Sequence, residues 1–179
     1  MKGIVVRVIL SVALTALTWG IARADTDECR PIIDAIGKLN SASQFQQKGI
    51  TDTDTNISHT RDYLVSGDKE YWREDNGPWK VGVRQLVPLI IDGKSTVSEC
   101  NRVGVERLGD AAAIVYTYKR LTSDRDVRAV RLWIDESTGK PLQTVITIAT
   151  DAGQKYKFTF SYDPQAALPT VGDHDGTKE

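Results

Sequence analysis

Alternation of apolar and polar residues dominates the second half of this chain. In 154–163, Tyr156, Phe158, Phe160 and Tyr162 share one parity, and Lys155, Lys157, Thr159 and Ser161 the other. The same parity groups Val130, Leu132 and Ile134 in 127–135, opposed by Arg131 and Asp135. It also groups Ile114, Tyr116 and Tyr118 in 112–121, and Leu142, Ile146 and Ile148 in 141–150. Period two with one apolar side marks antiparallel strands that meet an interior on one face and water on the other. A further strand is expected at 98–107. The connections Leu108-Gly109-Asp110, Ser123-Asp124-Arg125-Asp126, Glu136-Ser137-Thr138-Gly139 and Asp151-Ala152-Gly153 are short, so neighbours pair antiparallel in a meander.

The first half is more varied. After Cys29-Arg30-Pro31, Ile32, Ile33, Ile36 and Leu39 recur at helical spacing, which predicts a helix over 28–41. Extended patterns follow at 43–50, 56–65 and 69–73, the last two joined by Ser66-Gly67-Asp68, and Asn76-Gly77-Pro78 makes another turn. Leu86-Val87-Pro88-Leu89-Ile90-Ile91 is the least polar run outside the N-terminus. It reads as a short plug helix over 83–92, with a buried strand as the competing reading because runs this short are ambiguous. The fold class expected is α+β, a curved antiparallel sheet of about eight strands with an N-terminal helix and a plug helix on its apolar face. Two short helices cover such a face incompletely, and what stays open is a candidate hydrophobic cavity.

The N-terminus changes where this domain is expected to act. Lys2 and Arg7 precede an apolar stretch from Val8 to Trp19, and Ala22-Arg23-Ala24 has the small-x-small form of a signal-peptidase site. Residues 1–24 therefore read as a signal peptide cleaved after Ala24, 25–165 as one domain, and 166–179, rich in Pro, Gly and charge, as a flexible tail. An uncleaved anchor is the alternative, but the run falls short of the roughly 20 residues that span a bilayer. The periplasm is the compartment expected. Removing Lys2, Arg7 and Arg23 from 23 basic residues against 24 acidic ones leaves about −4 with no basic block, which argues against nucleic acid as a partner. Cys29 and Cys100 are the only cysteines. In an oxidising compartment they read as one disulfide closing a loop of about 70 residues, worth roughly 4 kcal/mol in the chain-entropy model. A redox pair would sit in one tight motif.

Catalytic patterns are sparse. His59 and His174 lie far apart, and Asp52, Asp54 and Asn56 lack the Gly and terminal Glu of a calcium loop. There is no Gly-x-Ser-x-Gly elbow and no phosphate loop. The expectation is a non-enzymatic protein with no metal site and no cofactor.

Three features resemble the LolA/LolB superfamily of periplasmic lipoprotein-sorting and lipid-binding proteins, which includes MucB/RseB-type sensors. One is the order of leader, helix, strands, plug and meander. Another is Gly67-Asp68-Lys69-Glu70-Tyr71-Trp72 with Gly77-Pro78-Trp79-Lys80. The third is Leu132-Trp133-Ile134-Asp135-Glu136-Ser137-Thr138-Gly139-Lys140-Pro141-Leu142-Gln143, an apolar strand ending in Asp, a Thr-Gly turn and a restart at Pro-Leu. A plain β-turn accounts for this hairpin equally well, with Gly139 at positive φ and Pro141 at a strand start.

The resemblance implies an incomplete antiparallel barrel whose concave face holds an acyl chain or other hydrophobic small molecule under a helical lid. The implied lining is Ile114, Tyr116, Val130, Leu132, Ile134, Ile146, Ile148, Phe158 and Phe160, with Leu86, Val87, Ile90 and Ile91 from the plug. The same residues also suit a filled core. Lipoprotein carriers follow their early Arg with Pro, whereas Arg61 is followed by Asp62. Lipid binding or envelope sensing by a monomer is therefore implied, rather than lipoprotein trafficking. The alternative function is an interaction module docking an envelope protein through Trp72, Trp79 and the sheet edge.

Overall fold

The structure, a computed structural model, describes residues 24–52, 58–148, 154–163 and 166–171. Residues 1–23 of the expected leader, and His174, lie outside the described residues. One helix, α1 (Ala24–Ser41), precedes the strands. It begins four residues before the position expected, so Pro31 lies inside it and removes one backbone donor. Its buried residues Cys29, Ile32, Ala35, Ile36 and Leu39 recur at helical spacing and form a single stripe.

Four strands follow: β1 (Gln44–Asp52), β2 (Ser58–Ser66), β3 (Lys69–Glu74) and β4 (Lys80–Val83). A two-residue hairpin, β5 (Ile90–Ile91) and β6 (Lys94–Ser95), stands apart. The meander is β7 (Val97–Leu108), β8 (Ala111–Leu121), β9 (Val127–Asp135), β10 (Pro141–Thr147) and β11 (Lys155–Ser161). All nine strands of the main sheet pair antiparallel in the order β4-β3-β2-β1-β11-β10-β9-β8-β7. The last strand thus returns to the first, with Gln47 opposite both Phe160 and Tyr63. The sheet is open, with β4 and β7 as its edges.

The expected plug helix over 83–92 is corrected. Its start belongs to β4, the strand missing from an expectation of about eight, and Arg84–Leu89 has no regular secondary structure. The backbone of this loop is satisfied from outside. Val87 N–H donates to Asn40 Oδ1 at 3.0 Å, and Asn40 Nδ2 donates to Val87 O at 2.9 Å. Thr96, 1% exposed, donates its hydroxyl to Pro88 O at 2.7 Å and its N–H to Leu89 O at 3.0 Å. Pro88 has no N–H to give a helical ladder. Asp92 and Gly93, both at positive φ, then turn the chain back as a two-residue hairpin.

Register confirms the meander's parity with one exception. Val130, Leu132 and Ile134 lie opposite Tyr118, Tyr116 and Ile114, and all six pack with Ile32, Ala35 and Ile36 beneath α1. In β10 the register slips between Pro141 and Gln143. This bulge sends Leu142 to the other face, beside Ala113, Val115 and Trp133, while Ile146 stays under α1. Leu142 and Ile146 therefore do not share a face, contrary to the simple alternation. On that outer face the Trp133 indole donates to Glu106 at 2.7 Å, which with Arg131 holds the Glu106 carboxyl below its usual range.

Cys29 and Cys100 form the expected disulfide, with Cα atoms 5.2 Å apart, tying α1 to β7. Both cysteines are buried. Replacing both with Ser should lower unfolding free energy by roughly 4 kcal/mol. Urea denaturation of the variant, compared with the oxidised parent, measures this.

Candidate ligand site on the concave face

The face under α1 is not filled. Ile36 and Leu39 of α1, with Val87 of the 84–89 loop, roof a cavity of about 160 Å³. Its floor is Val130, Leu132, Ile146, Phe158 and Phe160, from β9, β10 and β11. Gln47, Tyr118, Arg120, Pro141 and Thr144 complete the wall. A second pocket of about 280 Å³ adjoins it, sharing Leu39, Gln47, Val87 and Arg120 and adding Phe45, Tyr63, Val65, Glu70, Arg84 and Leu86.

Backbone chemistry explains the space. Gly49 faces the cavity side of β1, and a Cβ there would stand 2.7 Å from the Phe158 ring. The missing side chain lets Phe158 lie against β1 instead of filling the cavity. Phe45, near Phe160 and Tyr162 at 6.3 and 6.2 Å between ring centroids, walls the neighbouring pocket.

The roof is held at both ends by different means. Near its N-terminus α1 carries the disulfide. At its C-terminus the Arg84 guanidinium donates to Leu39 O at 2.9 Å, Asn40 O at 2.8 Å, Ala42 O at 2.8 Å and Gly67 O at 3.3 Å. Leu39 O and Asn40 O belong to the last turn of α1, whose carbonyls lack partners inside the helix, and a cation suits the negative end of its dipole. Lys38 Nζ adds a bond to Thr138 O at 2.7 Å, over Gly139, which has the positive φ expected of that turn.

The residues implied as lining separate into groups. Val87, Val130, Leu132, Ile146, Phe158 and Phe160 line the cavity. Ile114, Tyr116 and Ile134 sit in packed core under α1. Leu86 lines the outer pocket, 60% exposed, and Ile90, 68% exposed, lines neither pocket. Ile91 pairs with Lys94 in the small hairpin, and Ile148 lies just past the end of β10. Tyr118 and Arg120 carry the concave parity of β8 and line the cavity, but neither is in the implied lining, which stops at Tyr116 on this strand. Ile36 and Leu39 belong to the helix expected from its spacing but are not among the implied lining residues.

Charge on this face is uneven. Burial pushes the Tyr118 phenol up to about 12. Burial lowers the Arg120 guanidinium, with Arg128 across the strand pair adding to the effect. Further along, His59 Nδ1 lies 2.8 Å from Asp75 Oδ2, and Arg61 pairs with Glu74. These exposed pairs line a pocket of about 330 Å³ with Tyr156 and Phe158. The His59 contact and the Thr60 N–H hold Asp75 below its usual range. A His-Asp pair can orient a base, but no Ser or Cys of the described residues bonds to His59. Among the described residues no group of three or more His, Cys, Asp or Glu is placed to hold a metal.

The opposite face has a groove of about 310 Å³. Its wall mixes Lys48, Asp62 and Arg73 with Leu64 and Trp79, and Ala167 and Pro169 form part of it. Gln44 fixes that C-terminal segment by donating to Ala166 O at 2.8 Å. An apolar ligand is better matched by the concave cavity.

No protein-family profile matches the sequence, and no curated protein does. Solved structures do. The Mycobacterium tuberculosis lipoprotein LppX matches with a TM-score of 0.53 at 12% identity, over 80% of this chain and 98% of that one. LprF from Mycobacterium bovis matches with a TM-score of 0.50 at 11% identity, over 82% and 98%. These likenesses concern the fold alone. The LolA/LolB-like fold expected from the sequence is the fold this chain has.

Gly49→Val should cost about 1–3 kcal/mol by overpacking against the Phe158 ring. Urea unfolding checks this. Unchanged stability would mean the ring does not lie there.

Proposed function

We propose that the chain is an exported binding or carrier protein for a lipid-like or otherwise hydrophobic ligand of the cell envelope. The ligand's apolar chain occupies the space between α1 and the concave face. The observation that carries this reading is the apolar cavity roofed by Ile36, Leu39 and Val87. Its 160 Å³ is small beside the roughly 300–1,000 Å³ of ordinary small-molecule pockets. A longer chain needs the roof to lift. The anchors suit such a motion, since the disulfide retains one end of α1 while the Arg84 and Asn40 hydrogen bonds at the other can break and reform. The disulfide also supports export to an oxidising periplasm.

The direct test is to express the full chain in a Gram-negative periplasm and purify the processed protein without detergent. Native mass spectrometry and organic extraction then follow. A stoichiometric lipid-sized adduct is expected. A bare protein mass, with no uptake of added neutral alkyl ligands, would overturn the reading.

Arg84→Gln should weaken the C-terminal anchor of α1 by about 1.5–3 kcal/mol, the range for hydrogen bonds to charged groups. Hydrogen exchange should then accelerate over residues 36–41 more than in β8 and β9. Uniform acceleration would indicate global destabilisation instead of a released lid.

A further inference from the structure

Arg120 is an expensive residue in its place. It occupies the concave face of β8, two positions past Tyr118, where an apolar side chain would continue the stripe of Ile114, Tyr116 and Tyr118. It lines both the apolar cavity and the pocket beside it. Its Nε is buried without a hydrogen-bond partner, and no carboxylate of the described residues forms an ion pair with it. Directly opposite in the register stands Arg128. Like charges facing across a strand pair destabilise it. Arg128 has compensation from Asp124 at 3.7 Å and Asp126 at 4.0 Å, and Arg120 has none. The one acidic side chain in the outer pocket, Glu70, accepts instead from the Gln85 N–H at 3.3 Å. Arg84, the other cation there, is taken up by backbone carbonyls. A partly desolvated guanidinium with no carboxylate partner is costly, and an incoming oxyanion reduces that cost.

We propose that Arg120 is the anchor for an anionic head group, so that the ligand is an amphipath whose carboxylate or phosphate oxygen pairs with Arg120 while its chain enters the cavity. This rests on the hydrophobic-ligand reading above and narrows it to a chemical class. The Tyr118 phenol stands at the same wall as a second donor. The shared chemistry is the oxyanion. A fatty acid supplies it as carboxylate and a phospholipid as phosphate monoester or diester.

The experiment is calorimetric titration of the full processed protein with decanoate, decyl phosphate and neutral decanol. In the parent, at least one of the two anions should bind about tenfold or more tightly than decanol, as a charge-assisted hydrogen bond implies. Which anion is preferred distinguishes a free fatty acid from a phosphorylated lipid. In Arg120→Gln the anion-to-alcohol affinity ratio should fall to about one, and Arg120→Lys should retain part of it. The ligand-free Arg120→Gln variant should melt no lower than the parent, because an uncompensated charge has been removed. That melt separates a lost anchor from a lost fold. Decanol binding with no anion preference in the parent, or a ratio unchanged in Arg120→Gln, would overturn the anchor and leave the hydrophobic-ligand reading standing. If none of the three ligands binds the parent, both are overturned.

Discussion

One helix cannot cover this sheet. Nine strands spaced at about 4.8 Å make a face roughly 40 Å wide, while a helix with its side chains is roughly 10–12 Å across. Every other feature of the concave face follows from that mismatch. Where α1 lies over β7 to β9, Ile32, Ala35 and Ile36 pack against Tyr116, Leu132 and Ile134 as a closed core. At its edge, over β10 and β11, the helix runs out of side chains, and an apolar cavity remains between Leu39 and Phe158. Beyond it the face meets solvent and turns polar, through Tyr63, Arg61, Glu74 and His59. The gradient from packed core to cavity to charged surface is the geometry an amphipathic molecule requires.

Position alone would not hold such a helix. A stripe of five buried residues gives it a footprint on β7 and β9, and the Cys29–Cys100 bond makes that footprint permanent. Its other end depends on Arg84 and Asn40, which bring the 84–89 loop against the helix terminus. The apolar run once read as a plug helix thus has a different role. Val87 closes the cavity, and the loop around it connects the roof to the β4 edge. Leu86 and Ile90 remain exposed because an irregular loop ending in a tight hairpin cannot turn all its apolar side chains to one side.

The meander was legible because alternation is a local signal that the sheet preserves. Strand β9 has the bounds its sequence predicts, and Tyr116, Leu132 and Ile146 point where parity places them. Parity failed at Leu142 because a bulge is set by how β9 and β10 pair, which no single-strand pattern records. Strand β4 was missed because four residues with two valines make too short a period to count. The plug was misread for a tertiary reason, since its backbone partners Asn40 and Thr96 are remote or emerge only once the chain folds back. Of the site, the apolar floor was legible and the polar wall was not. Arg120 follows the same parity as Tyr118, but a search for apolar residues passes over the charge that stands among them.

An alkyl chain held between α1 and the sheet would touch the side chains of both. Intermolecular NOEs from the methylenes of bound decanol to methyl-labelled protein test this most directly. A chain in the proposed site gives contacts to the methyls of Val130, Leu132 and Ile146. Contacts confined to Val81 and Val83 on the exposed edge strand, or to Val115 on the opposite face, would contradict that placement.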